Sequence, residues 1–379
     1  MIVAFARTPF TRRGGALAGL KGVELLRHVL REVLNRAGIT PSHVDQVVGG
    51  CVTQSGEQSL NVTRNAWLNA GFDPTVGCTT VDVSCGSSQQ ANHIVASMIA
   101  SGMIDVGIGC GVETMSRVPM GTNLYQGPGH YKAADYPWDD PPSAQFGAAE
   151  RIALRDNITR NDADSFGYLS QVRAQKAWDL DAFQDEIAPI TARDADGAST
   201  VVTVDEGLRA TTLETLAKLR SNVEGGIHTA GTTSQVSDGA AAILWMSQRM
   251  AESLGLAPRA QLRCGVVTGC DPYYLLDGPT IATEKALKRE RMALGDIEVA
   301  EINEAFAGVV LSWLSKTRYN PDLVNRNGGA IALGHPLGAT GTRLLMTAVT
   351  QMEASDASTA LVAMCCGGAL GTATILERT

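Results

Sequence analysis

The first and last thirds of this chain carry the same order of signals, and that repetition restricts the fold more than any single motif. In the first third VDVSCGSSQQANHIVASMI is followed by DVGIGCGVE, and in the last VNRNGGAIALGHPLGATGTRLLMTAV is followed by TALVAMCCGGALG. Each reads as a turn bearing a reactive side chain, then a helix, a strand and a glycine cluster. A repeated unit of this kind predicts two similar α/β halves with a long insertion between them. Duplicated folds tend to place their chemistry where the halves meet.

The remaining signals fit buried sheets covered by helices. Ile2 to Ala6, Val44 to Val52 and Asp105 to Cys110 read as strands, and Asn61 to Ala70 as a helix. Gly22 to Ala37 has helical apolar spacing through Val23, Leu25, Leu26, Val29, Leu30, Val33 and Leu34. From Ser116 to Tyr136 the composition shifts to Gly, Pro, Tyr and Asn without periodicity, as in an excursion over the surface. Helices are expected over Ala144 to Asp156 and Asp162 to Leu180, with Thr159 and Asp162 spaced as a capping box. Ile187 to Val204 reads as a hairpin with its tip at Asp194 to Gly197. Gly225 to Gly239 is a loop of Gly, Ser and Thr, and Ala240 to Met246 returns to a buried strand.

Composition excludes several classes. With 44% hydrophobic and 18% charged residues, the 379-residue chain has ample material for two or three cored domains. Its net charge of -8, with no basic run, argues against a nucleic-acid groove or polybasic membrane anchor. The N-terminus MIVAFARTPF enters a strand directly, so neither secretion nor a membrane span is expected, and the expected location is the cytoplasm. The eight cysteines contain no C-x-x-C pair, which leaves a zinc site unsupported and suggests reduced thiols.

Four clusters can carry chemistry: Cys85, His335 in GHPLGATG, Cys365 in CCGG, and Asn303 with Glu304 in EINEAFAG. Cys85 sits where a strand becomes a helix, and such helix starts can lower a thiol pKa to roughly 3.5–7.5. Simple packing is the competing reading for a cysteine there. A histidine supplies a base near neutral pH, a second thiol can move a proton on and off carbon, and an amide can hold an oxyanion donor. Structural readings exist for these residues too, as turn hydrogen-bonders, a helix cap and buried small side chains. Gly107, Gly109 and Gly111 have the wrong spacing for a dinucleotide loop. His28 and His43 are expected in solvent, His93 packed or exposed, and His130 and His228 have weak functional claims.

The blocks SCGSSQQA, INEAFA, NGGAIALGHPLGATGTR and CCGGALGTATILER, in that order and across essentially the whole chain, resemble the thiolase family. The resemblance implies a thiolase fold: two βαβαβαββ halves in a five-layered α/β/α/β/α core with an inserted loop domain covering coenzyme A. The implied boundaries are 1–115 with 235–257, 116–234, and 258–379. By the same resemblance Cys85 is the acylated nucleophile, His335 its activating base, Cys365 the acid/base thiol, and Asn303 the holder of an oxyanion-hole water. The amides of Cys85 and Gly367 match a second oxyanion hole. Ser234 matches a pantetheine contact and Arg220 a contact to the coenzyme A nucleotide. Coenzyme A is then a co-substrate, with no tightly bound cofactor or metal, and the assembly a homodimer or homotetramer.

Departures from the family pattern fall around the acyl pocket. Gln145 and Phe146 stand where many short-chain members have His-Met, Ala369 replaces a usual glycine, Thr232 a usual asparagine, and Tyr273, Tyr274 and Leu275 lie in DPYYLLDGP. With GGIHTAGTTSQVSDGAAAILWM and VVLSW, these features are similar to thiolases of bacterial steroid side-chain degradation. The expected activity is thiolysis of a 3-oxoacyl-CoA. The alternatives are a biosynthetic acetoacetyl-CoA thiolase and a silent acyl-CoA or lipid carrier. A cysteine protease would leave the second thiol of CCGG without a role.

Overall fold

Long runs of fully buried strand residues require a sheet covered on both faces. The computed structural model describes residues 1–125, 131–193 and 197–379. Its first third contains β1 (Ile2–Arg7), β2 (Thr11–Arg12), α1 (Gly22–Ala37), β3 (Gln46–Gly50), α2 (Val62–Asn69), β4 (Gly77–Val81), α3 (Ser87–Ala100) and β5 (Val106–Thr114). Then follow α4 (Thr122–Tyr125), α5 (Gln145–Arg155), α6 (Arg160–Asp179), β6 (Ile190–Arg193), β7 (Ser199–Val202), α7 (Leu213–Ala217), β8 (Ser237–Met246) and α8 (Gln248–Ser253). The last third contains β9 (Ala260–Gly269), α9 (Gly278–Glu290), β10 (Val299–Ile302), α10 (Ala307–Thr317), α11 (Ala330–Leu333), α12 (Leu337–Ser355), β11 (Thr359–Cys366) and β12 (Leu370–Arg378).

The repetition is visible in the pairing. One set of strands runs β4-β3-β5-β8-β1, with β3 parallel to β4 and β5, and β8 antiparallel to β5 and β1. The other runs β10-β11-β12-β9, with Val324 bridging β10 in parallel in the place that β4 holds in the first half. Among the described residues the register between the sets is the one pair Ile2 with Ala260, beside which Arg259 N donates to Ile2 O (2.8 Å). Elsewhere α3 and α12 lie between them, α1 covers the outer face of one set and α9 that of the other, which gives the five layers α/β/α/β/α that the resemblance implies.

Close approach seats the middle layer. A Cβ on Gly338 would collide with the Val112 carbonyl and lie 2.7 Å from that of Gly50, and one on Gly341 would lie 2.5 Å from the Gln89 nitrogen. The buried Glu113 carboxylate accepts from the amides of Val52 (3.0 Å), Thr53 (2.9 Å) and Gly338 (3.0 Å) and from Gln58 Nε2 (3.1 Å). Burial nevertheless pushes the Glu113 carboxyl above the usual range.

The helix expected over Gly22 to Ala37 has those bounds, and Thr159 caps α6 through Asp162 as its spacing predicts. The strand expected to end at Cys110 continues to Thr114, buried throughout. His43 is exposed, but His28 is half-buried against the carbonyls of Ala188 and Pro189, and burial lowers its pKa, so the expectation of a solvated ring fails there. His130 and positions 194–196 of the expected hairpin tip lie outside the described residues; β6 and β7 pair on either side of the latter. All eight cysteines are free thiols.

Gly338→Ala should push α12 off the first half and destabilise the protein by about 1–3 kcal/mol, whereas Gly295→Ala should stay within about 0.5 kcal/mol. A Cβ on Gly295 meets nothing within 4 Å. Calorimetric Tm values that fail to separate these variants would refute the seating argument.

Candidate active site

Cys85 is presented by a rigid turn between β4 and α3. The Ser84 backbone is left-handed (φ 48°), its amide donates to Asp82 Oδ1 (2.7 Å), and Ser87 Oγ accepts from Val83 N (2.9 Å) while donating to Ser84 O (2.6 Å). The amides of Gly367 and of Cys85 itself point at the sulfur. Burial outweighs them: with 2% of the residue exposed, the thiol pKa is pushed up to about 11. The expectation of a lowered pKa is therefore corrected, because desolvation at this site exceeds the pull of the helix start and the amides.

His335 lies in the corresponding turn before α12. Its backbone N–H donates to Ser237 Oγ (3.1 Å), the atom that a Cβ on Gly334 (φ 101°) would approach to 2.5 Å. The Thr340 hydroxyl donates its one proton to Pro336 O (2.8 Å), so Thr340 Oγ1 accepts from His335 Nδ1–H at 2.7 Å. That assigns the tautomer: Nε2 carries the free lone pair. Asn303 Nδ2 faces Nε2 at 3.4 Å, a long contact, and Asn303 Oδ1 is buried without a hydrogen-bond partner. Burial, then the Arg343 charge, lower the His335 pKa to about 3.

Asn303 and Cys365 stand at neighbouring ends of the parallel strands β10 and β11, where Asn303 N donates to Ala363 O (2.9 Å). Parallel strands offer ligand sites at their carboxyl ends. Cys365 is wholly buried, and burial together with the nearby Cys85, Cys366 and Cys270 raises its pKa well above the ordinary thiol value. Gly367 opens the β11–β12 turn; a Cβ there would lie 3.1 Å from both Gln145 Nε2 and Ser84 Oγ. Ala369, in the same turn, holds φ 58° without being glycine.

An apolar cluster surrounds Cys365: Ala148, Ile152, Leu275, Leu276, Phe306 and Ala369, with Tyr274 and Cys270 packed against it. Phe146 meets the Phe306 ring edge-on at 5.5 Å. The Gln145, Phe146, Tyr274 and Leu275 positions are thus gathered beside the thiols. Ser234 is half-buried, its N–H donating to Ala305 O (2.9 Å), while Arg220 is exposed beyond α7. His93 is buried, held by Thr374 Oγ1 (2.7 Å) and Gln90 Oε1 (3.2 Å).

The Cys85 and His335 turns are brought together by their helices: Thr342 N donates to Ser88 Oγ (2.9 Å) and Asn92 Nδ2 to Thr342 Oγ1 (2.8 Å). Sequence reasoning missed Thr340, Ser237 and the Glu150–His228 pair. Only Thr340 left a signal, as a hydroxyl one helical turn beyond Pro336 in GHPLGATG. Among the described residues no group of three or more His, Cys, Asp or Glu could hold a metal ion.

Two buried thiols near each other, an imidazole with Nε2 unprotonated and amides aimed at the Cys85 sulfur, at the junction of duplicated halves, are groups suited to nucleophilic and acid–base chemistry. Residues 1–249 match the family model "Thiolase, N-terminal domain" and residues 256–378 "Thiolase, C-terminal domain". The chain is 40% identical over 385 residues to the steroid 3-ketoacyl-CoA thiolase FadA6 of Mycobacterium tuberculosis, covering 100% of this chain and 93% of that one. It is 40% identical over 387 residues to a 3-ketoacyl-CoA thiolase of Pseudoalteromonas atlantica, covering 100% and 99%. Among solved structures it resembles human mitochondrial 3-ketoacyl-CoA thiolase (TM-score 0.90, 32% identity, covering 100% of this chain and 98% of that one). It also resembles the acetyl-CoA acetyltransferase of Bacillus anthracis (TM-score 0.91, 33% identity, 100% and 98% covered). The chain belongs to the thiolase family and is an acyltransferase.

A raised Cys85 pKa and a lowered His335 pKa mean that the resting pair is neutral thiol and neutral imidazole. Raising pH deprotonates the thiol, so iodoacetamide labelling of Cys85 in the free enzyme should climb about tenfold per unit from about pH 7 to 10. A plateau already reached below neutrality, as an ion pair would give, contradicts this.

Proposed function

We propose that this enzyme cleaves 3-oxoacyl-CoA with coenzyme A, releasing acetyl-CoA and a shortened acyl-CoA. The observation that supports the reading is a pair of neighbouring buried thiols together with a His335 whose bare Nε2 faces Asn303, the residue at the strand end beside Cys365. Cys85 passes its proton to His335 Nε2 and its sulfur attacks the 3-keto carbon. The protonated Nε2 then donates toward the oxyanion beside a water held by Asn303, so one nitrogen serves first as base and then as donor. The C2–C3 bond breaks, and the acetyl-CoA enolate takes the Cys365 proton at C2. Coenzyme A next attacks the acyl-Cys85 carbonyl, its thiol proton going to the Cys365 thiolate. The amides of Cys85 and Gly367 stabilise the second oxyanion, and as the acyl group leaves, Cys85 recovers the proton held by His335.

Residues 116–234 form the inserted domain over coenzyme A between halves 1–115 with 235–257 and 258–379. Ser234 borders the pantetheine arm, and the exposed Arg220 reaches the nucleotide. Gln145, Phe146, Tyr274 and Leu275 line the acyl group. The apolar and aromatic character of that lining favours a fatty-acyl or steroid side-chain substrate of β-oxidation over acetoacetyl-CoA, as do the names of the curated relatives. The reading places the enzyme in the cytoplasm; among the described residues no helix is long and apolar enough to cross a membrane.

Assembly as a dimer or tetramer is supported by the outer edge of β4, which pairs with no strand among the described residues, and by Leu60, 89% exposed and next to Asn61, whose amide donates to Cys78 O of that strand. An open strand edge with an apolar rim is a ready pairing surface. Light scattering should give at least twice the 39.9 kDa chain mass, and Leu60→Asp should shift the population toward monomer; a wild-type monomer at micromolar concentration refutes the assembly.

Mass spectrometry after incubation with medium-chain and steroid 3-oxoacyl-CoA esters should find the shortened acyl group on Cys85. Cys85→Ala should lose it, with kcat falling by about four orders of magnitude or more. Absence of coenzyme A-dependent cleavage for both ester types sinks the proposal, and acetoacetyl-CoA as the best substrate by kcat/KM selects the biosynthetic alternative.

A further inference from the structure

One buried titratable side chain near the site has no part in this chemistry. His228, 0% exposed in the Gly225 to Gly239 loop, accepts at Nε2 from the Gly308 amide (3.1 Å). Only an unprotonated nitrogen accepts, so its Nδ1–H donates to Glu150 Oε1 at 3.0 Å. The Glu150 carboxylate also accepts from the amides of Ile227 (2.9 Å) and His228 (3.1 Å). The fit is close, because a Cβ on Gly308 would lie 2.6 Å from His228 Nε2.

Both ends of this chain of contacts reach the active site. Gly308 is in the first turn of α10, directly after Asn303 to Phe306, and the loop runs beside that stretch: Ala307 N donates to Thr232 O (2.9 Å) and Ser234 N to Ala305 O (2.9 Å). Glu304 anchors the other side of the stretch by accepting from Ser170 Oγ (2.6 Å), Asn325 Nδ2 (2.9 Å) and Ile331 N (3.2 Å). Glu150 belongs to α5, whose first residues Gln145 and Phe146 border Gly367 and Phe306. The His228 ring itself packs edge-on against Phe306 at 5.5 Å.

We propose that His228, oriented by Glu150, is a positioning residue that holds the start of α10, and with it the Asn303 amide, in register with α5 at the substrate-facing side. The inference rests on the thiolase reading above. It assigns a role in catalysis to a residue that touches neither substrate nor a reacting atom.

The two amide replacements of histidine separate this role from simple packing. In His228→Gln the amide reaches the place of Nε2 and can accept from Gly308; in His228→Asn it reaches only the place of Nδ1. The Asn variant should lower kcat for thiolysis about tenfold or more with KM for coenzyme A within about twofold, and the Gln variant should recover to within about threefold of wild type. Amide exchange at positions 307–309 should quicken in the Asn variant alone. Equal losses in both variants, a change in KM only, or wild-type rates in both overturn the proposal. Should His228→Asn fail to fold, Gly308→Ala carries the same comparison, since its methyl displaces the same nitrogen. Wild-type protein that forms no acyl-Cys85 refutes the functional reading instead, so the two failures are distinct.

Discussion

Each middle helix is fastened to the sheet of the opposite half, and the site depends on that exchange. Helix α12 belongs to the second half, yet its first turn rests on Val112 and Gly50 and its Gly338 amide is held by Glu113, all of the first. Helix α3 belongs to the first half, yet Gln89 Nε2 donates to Val362 O (3.1 Å) and Thr374 Oγ1 (2.6 Å) in the second. Cys85 and His335 precede these two helices. Neither half can build the site alone, because each supplies one turn and borrows the surface that positions it.

The same burial that fixes the geometry determines the electrostatics. A thiol near 11 and an imidazole near 3 oppose charge separation between the two groups. In the proposed reaction the proton moves only when an incoming carbonyl gives the thiolate a bond to form and the protonated Nε2 an oxyanion to face. Water and stray electrophiles thus meet an uncharged thiol. Thr340 matters here out of proportion to its size, since its bond to Nδ1 leaves Nε2 as the bare imidazole nitrogen.

Features carried by local spacing were legible in the sequence. The bounds of α1, the cap at Thr159, the repeated order of turn, helix and strand, and the four reactive blocks could all be read, because periodicity, capping and turn chemistry act over a few residues. What depends on distant parts of the chain was not. The Cys85 pKa was misjudged because a helix start is visible in sequence while desolvation by a second half is not. His28 reads as solvated in sequence because the carbonyls it meets, those of Ala188 and Pro189, lie some 160 positions later. His228 looked unimportant for the same reason, since its partners Glu150 and Gly308 lie far from it in sequence and on opposite sides.

The side of the pocket formed by α5 shows how an inserted segment becomes part of a rigid site. The backbone enters α5 through two consecutive non-glycine residues of positive φ, Ser143 (58°) and Ala144 (50°, with ψ -119°), sparsely populated conformations that cost roughly 1–3 kcal/mol each. Interactions further along the helix hold it there. Arg155 donates to both oxygens of Asp277 (2.6 and 2.9 Å) at the start of α9, where Lys316 of α10 also reaches Asp277 (2.7 Å). The Arg155 guanidinium lies 4.2 Å from the Tyr274 ring centre, and that of Arg151 3.9 Å from Tyr273. These partly buried pairs lock α5 to two helices of the second half, and bidentate geometry makes the lock directional. The residues proposed to line the acyl group therefore inherit their positions from charges placed one to three helical turns away, and a substitution at Arg155 or Asp277 alters that side of the site without touching them.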